Sequence, residues 1–187
     1  MSDYRKLIVE YMDRLYRMGL TTTSGGNLSV MDEEGNIWIT PSGTDKGEMT
    51  PDDIVCVKKD KTVIGELKPS SELPLHSLIY AANPDKRAIC HAHSPALIAY
   101  SVIREIPNKD LFVGSFVSDK KITIAEYAMF GTTRLGEIIS THFKTGSDIV
   151  IMENHGMVSA APTLKEAFEQ FEALEFLAKI QMNVNRL

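Results

Sequence analysis

Cysteine is scarce in this 187-residue chain: Cys56 and Cys90 stand alone, too isolated for a disulfide framework, and neither belongs to a Cys-x-x-Cys pair. Basic charge is not in surplus either. The formal net charge is −5, with no run of Lys or Arg, which argues against general nucleic-acid binding, an affinity drawn from cations set against phosphates. No membrane segment is expected: the N-terminal stretch MSDYRKLIVEYMDRL carries charges throughout its apolar run, so it reads as neither a signal peptide nor a transmembrane helix. Repeats and low-complexity linkers are also lacking. What is present, 43% hydrophobic and 24% charged residues, is the balance of a globular protein with a sizeable core. One domain over 1–187, in the cytoplasm, is the default expectation.

The apolar spacing of Leu7, Ile8, Tyr11, Met12 and Leu15 predicts a first helix that Gly19 can end. Two β-rich runs follow, TTTSGGNLSV and NIWIT, with a turn at Asp32 to Gly35. Thr50 then caps a short helical turn with Pro51 at its first position, and Ile54–Val57 pairs with Thr62–Ile64. A helix from Ser70 or Ser71 to about Ala82 buries Leu75, Leu78, Ile79 and Ala82. Residues 88–93 form a short strand, and Ser94-Pro95 opens another helix. Residues 105–122 read as a long loop with at most a short strand. Thr132–Lys144 is helical, Asp148–Met152 and Met157–Ala160 are strands around an Asn154-His155-Gly156 turn, and Thr163 caps a long final helix. Helices and hairpins interleave, so a single mixed sheet covered by helices is expected.

The densest chemistry lies in KPSSELPLHSLIYAANPDKRAICHAH, residues 68–93. On a strand His91 and His93 project from one face, about 7 Å apart along the chain, where two imidazoles can share a metal ion. Two structural histidines would look the same. Cys90 faces the other way and reads as a small core residue. His155 sits in a turn after a strong strand, and three histidines with an open fourth position would make a catalytic metal site. His76, in a helix, and His142, on a helix face read as open to solvent, are left out of the site. Glu72 follows Ser70 and Ser71 at a helix N-terminus, where a carboxylate is at home and free amides suit phosphate. Gly25-Gly26-Asn27 and Pro41-Ser42-Gly43-Thr44 are loops whose small residues let backbone approach an anion. Lys46 could add a positive charge beside these loops, but it reads first as a solvated loop lysine.

Together SGGNLSV, ITPSGTDKGEMTPDDIV, KPSSELPLH, AICHAHSP, YAMFGTTRL and ENHGMVSAAPTLKEAF resemble the class II aldolase/adducin family, in particular its fuculose-1-phosphate type sugar-phosphate aldolases. The resemblance covers most of the chain in order. It implies a three-layer α/β/α fold with a mostly antiparallel central sheet and one zinc ion per subunit held by His91, His93 and His155, with Glu72 a fourth ligand and the catalytic acid/base. It implies phosphate contacts from Gly26, Asn27, Ser42, Gly43, Ser70 and Ser71, a sugar-phosphate substrate split to dihydroxyacetone phosphate and a small aldehyde, and a homotetramer.

Alternatives within the family are a pentulose-phosphate 4-epimerase, which carries aspartate where Glu72 stands, a methylthioribulose-phosphate dehydratase and a sugar-acid phosphate decarboxylase. A non-catalytic adducin-like scaffold would lack the metal histidines. Two departures stand out: the 106–118 loop contains no tyrosine, where family aldolases often bring one from a neighbouring subunit, and the chain ends at Leu187, where many relatives continue with a tail.

Overall fold

The computed structural model describes residues 3–112 and 116–187, so part of the unassigned 105–122 stretch, residues 113–115, lies outside the described residues. Among the described residues eight strands form one sheet: β1 (Asn27–Met31), β2 (Ile37–Ile39), β3 (Val55–Val57), β4 (Val63–Ile64), β5 (Ala88–Ala92), β6 (Ile122–Ala125), β7 (Ile149–Met152) and β8 (Gly156–Ala161). Their order is β4-β3-β2-β1-β5-β8-β7-β6. Every pairing is antiparallel except β6 with β7. Five α-helices among the described residues cover the two faces: α1 (Tyr4–Arg17), α2 (Leu73–Ala82), α3 (Pro95–Ile103), α4 (Thr133–Lys144) and α5 (Leu164–Val184).

The period-2 alternation of the strands divides the core. Leu28, Val30, Ala88, Cys90, Ala92, Ile149 and Ile151 face α1, α3 and α5, joining Ile8, Met12, Leu15, Phe168, Phe171 and Leu174. Their neighbours Ile89, Val150, Met152 and Val158 face α2 and α4, joining Leu75, Ile79, Leu135, Ile139 and Phe143. The result is the expected three-layer α/β/α arrangement. None of the helices described is long and apolar enough to cross a membrane.

Helix α2 begins later than expected, at Leu73, with Glu72 in the cap position and Pro74 inside the first turn. Proline needs no hydrogen-bond partner there, and it restricts the residue before it, so the helix starts close to it and leaves both serines outside. The buried face of α2 is Leu75, His76, Ile79 and Tyr80, whereas Leu78 and Ala82 are only half-buried. The 105–122 stretch contains a 3₁₀ turn at Lys109–Leu111 and leads into β6, a strand the sequence reading did not assign. His142 is half-buried on α4, its Nδ1 3.0 Å from Thr123 Oγ1 on β6, which corrects the expectation of a solvent face.

Candidate active site

The register of the central strands assembles the site on the α2/α4 face. Asn27 on β1 lies opposite His91 on β5, and His91 lies opposite Val158 on β8, so Asn27 and His91 share a face at one end of the sheet. His93 is one residue beyond the end of β5. His155 closes the three-residue turn between β7 and β8, where Asn154 takes a left-handed conformation (φ 57°) that asparagine tolerates. Two glycines make room for the imidazole of His93. A Cβ on Gly25 would lie 2.7 Å from its Nδ1, and one on Gly156 would lie 2.6 Å from Ala92 O and 3.2 Å from His93 Cδ2. The GGN and NHG segments are therefore part of the architecture of the histidine cluster as well as turns.

The ligating atoms of His91, His93 and His155 all lie within 4.8 Å of one another, and this group could hold a metal ion. His93 Nε2 is 3.1 Å from His91 Nε2. The Nδ1–H of His91 donates to the carbonyl of Met157 at 2.9 Å, a bond that leaves Nε2 with its lone pair directed into the cluster. That lone pair faces Glu72 Oε2 at 3.0 Å, and two electron-rich atoms at such a distance need a cation between them, either a proton or a metal. Glu72 Oε1 is 3.7 Å from His155 Nε2 and, though buried, has no hydrogen-bond partner. The donor set fits a metal ion.

The electrostatics agree. Burial works against the charged form of Glu72, but the facing His91, the hydrogen bond from Asn27 and His155 hold its carboxyl well below the usual carboxylate range. Burial, with like charge from His91 and His155, pushes His93 down to about 3, and burial and His91 push His155 down to about 4. Both rings therefore offer lone pairs at neutral pH. His91 moves the other way: burial opposes its charge, but Glu72 and the Met157 carbonyl outweigh burial and raise it, the mark of a proton standing where a metal would.

Three loops converge on these groups. Ser42 N–H donates to Lys68 O and Ser70 N–H to Thr40 O, on either side of a bridge between Pro41 and Pro69, so the 41–43 and 68–70 segments run as a short two-stranded ladder. Lys46 N–H donates to Thr23 O, which ties in the glycine loop. They enclose an open cleft of about 420 Å³ lined by Gly26, Asn27, Ser42, Gly43, Lys46, Ser70, Ser71, Glu72, His93 and His155, among others. Every residue singled out as a ligand, base or phosphate contact lines this cleft except His91, which is fully buried beneath it.

Lys46 is the main surprise. It is 2% exposed rather than solvated, and its ammonium donates to the carbonyl of Pro41 at 2.9 Å. Burial lowers its pKa, with Asp45 acting in the opposite sense. His76 was also passed over. It is wholly buried and contacts Asn27 and Ser29, and its place four residues after Glu72 on one helix face was the available signal.

Burial pushes His76 down to about 3, with Glu72 opposing. An unfolded histidine titrates near 6.5, so the unfolded chain takes up this proton first and stability falls as pH drops from about 6.5 toward 3. In the metal-free protein this histidine alone should remove about 2 kcal/mol between pH 7.5 and pH 5. The part of the urea-denaturation difference between the two pH values that is missing in His76→Gln measures the loss, and an equal pH dependence in that variant would refute it.

Residues 6–182 match the family model described as Class II Aldolase and Adducin N-terminal domain, and the chain belongs to that family. The particular proteins it is similar to include a 3-oxo-tetronate 4-phosphate decarboxylase of Haemophilus influenzae, 29% identical over 180 residues, and several aldolases. It is 36% identical over 181 residues to a 5-deoxy-D-ribulose 1-phosphate aldolase of Bacillus thuringiensis serovar kurstaki, covering 94% of this chain and 83% of that protein. It is 33% identical over 185 residues to an L-fuculose phosphate aldolase of Methanococcus vannielii, covering 96% and 94%. A solved L-fuculose 1-phosphate aldolase superposes with a TM-score of 0.88 at 33% identity, over 100% of this chain and 88% of its own.

Proposed function

We propose that this protein is a zinc-dependent aldolase that cleaves a ketose 1-phosphate of the fuculose-1-phosphate type into dihydroxyacetone phosphate and a small aldehyde. The observation that carries the reading is the convergence of three imidazole nitrogens within 4.8 Å of one another, next to a buried carboxylate with one unpartnered oxygen and beside loops of small hydrogen-bonding residues. Nitrogen donors from three histidines with a carboxylate suit zinc. Held by His91, His93, His155 and Glu72, the ion would supply a Lewis acid for the negative charge that develops on substrate oxygens as the carbon–carbon bond opens.

The chain's own residues do the rest. Backbone and hydroxyl groups of Gly26, Asn27, Ser42, Gly43, Ser70 and Ser71 bind the phosphate and set the reacting carbons against the histidines, Asn27 by its backbone alone. Lys46 supplies the positive charge that the small residues lack. Glu72 moves the proton at C3, the carbon that becomes part of dihydroxyacetone phosphate, and its Oε1, unpartnered and 3.7 Å from His155 Nε2, is free for that purpose. Exposed Val102, Ile103, Phe112, Tyr127 and Phe130 support a homo-oligomer, which we read as the tetramer that the family resemblance implies.

The test is a panel of ketose 1-phosphates assayed for dihydroxyacetone phosphate. Cleavage of at least one, abolished by a chelator and restored by zinc, is expected. Silence across the panel, with an ion tightly bound, would point instead to dehydration or decarboxylation. Lys46→Met should raise KM for the phosphorylated ketose roughly tenfold or more and change kcat little, since the charge acts on bound and activated substrate alike. An unchanged KM would remove Lys46 from the phosphate site.

A further inference from the structure

A line of buried side chains runs inward from Glu72, away from the cleft. Asn27 Nδ2 donates to Glu72 Oε2 at 3.0 Å, and Asn27 Oδ1 lies 2.5 Å from His76 Nε2. His76 Nδ1 is 2.6 Å from Ser29 Oγ, which is 2.6 Å from Tyr80 OH. Asn27 and Ser29 alternate onto one face of β1, and His76 and Tyr80 are four apart on α2, so the strand and helix clasp through this line. Ser29 and His76 are completely buried, and Asn27, Glu72 and Tyr80 are within 5% of it.

The hydrogens in this line can be placed in one consistent way. Glu72 is an acceptor only, so Asn27 must turn its NH₂ toward it and its carbonyl toward His76. His76 Nε2 must then carry a hydrogen, and because a wholly buried imidazole stays neutral, Nδ1 accepts. Ser29 Oγ–H donates to Nδ1 and accepts from Tyr80. Every donor points toward the carboxylate. Reversal of the Asn27 amide would set a carbonyl oxygen against Glu72 Oε2 and an NH₂ against the Nε2–H of His76, two buried mismatches of the kind that cost about 1–3 kcal/mol each.

We propose that His76 is a positioning residue: as the Nε2–H tautomer it locks the Asn27 amide, which holds Glu72 by Oε2 and leaves Oε1 free to face the histidine cluster and the substrate. The inference rests on the catalytic role proposed for Glu72. It assigns His76 no contact with substrate and no proton transfer.

The first test uses the native metal-free protein, so that it does not depend on turnover. Histidine labelled with ¹⁵N, with the His76 signals assigned by their loss in His76→Gln, should show a neutral Nε2–H ring across neutral pH, its proton slow to exchange and far downfield. An Nδ1–H tautomer or a charged ring would overturn the proposal. The second test is kinetic. His76→Leu should lower kcat more than tenfold, with KM and zinc affinity, read by competition with a chelator, changed less than threefold. His76→Gln, whose amide oxygen and nitrogen are spaced like the two ring nitrogens, should recover most of the loss. Native kcat in His76→Leu, loss of zinc along with rate, or no recovery in the glutamine variant would each overturn it. If the native chain cleaves no ketose 1-phosphate, the aldolase reading fails while the tautomer result still decides whether His76 locks the Asn27 amide.

Discussion

His93→Ala should hold no zinc under conditions in which the native chain holds about one ion, and its cleavage rate should fall by at least roughly a thousandfold. The magnitude follows from where His93 stands. It is one of three nitrogens in a cluster whose remaining members cannot move to compensate: His91 is fixed on the central strand β5 and through Nδ1 to Met157, and His155 by the tight turn between β7 and β8. A site with two histidines and one carboxylate loses affinity as well as the geometry that stabilises developing charge. Metal content by elemental analysis, measured beside the rate, separates the two effects. A variant that lost its metal and still cleaved substrate would refute a metal-dependent mechanism.

Glu72→Gln should behave differently, keeping its metal and losing rate by roughly a hundred- to ten-thousandfold, the span that general acid–base groups contribute. Glutamine can still accept the Asn27 N–H through its carbonyl oxygen, so the pocket keeps its shape, but an amide can neither take nor return a proton. The three histidines remain to hold the ion. A near-native kcat would take Glu72 out of the chemistry, and loss of the ion would make it a ligand above all else.

The parts of the fold legible from sequence were those with a strong local signal. The spacing of Ile8, Tyr11, Met12 and Leu15 gave α1, and the Thr163 cap with its bond from Glu166 N–H gave the start of α5. The grouping of His91, His93 and His155 was legible because few residue types ligate metal and the first two stand two residues apart at the end of one strand. Misreadings arose where a tertiary contact set the outcome. Ser70 and Ser71 look like helix caps, yet Pro74 places the cap at Glu72, whose side chain turns inward to Asn27 and His91 rather than back to the helix. His142 lies on the outer side of its helix by period, and only the pairing of β6 beside α4 brings Thr123 to it. Lys46 sits in a polar loop that any local reading leaves in water. It is buried because the 21–26 and 41–43 loops close over it, its N–H bonded to the distant Thr23 O and its ammonium to Pro41 O.

The bonding of β5 also divides the site by how readily its parts can open. That strand is hydrogen-bonded to β1 on one side and β8 on the other, at the middle of an eight-stranded sheet, so His91 can leave its place only when the sheet itself comes apart. The loops carrying Ser42, Lys46 and Ser70 hang from the sheet by a few backbone bonds and belong to the low-energy end of local opening. In hydrogen exchange the amides of β5 should report global unfolding and those of the loops a far smaller opening. The histidine half of the site is thus inherited from the scaffold, while the half that meets the substrate can open without the sheet coming apart.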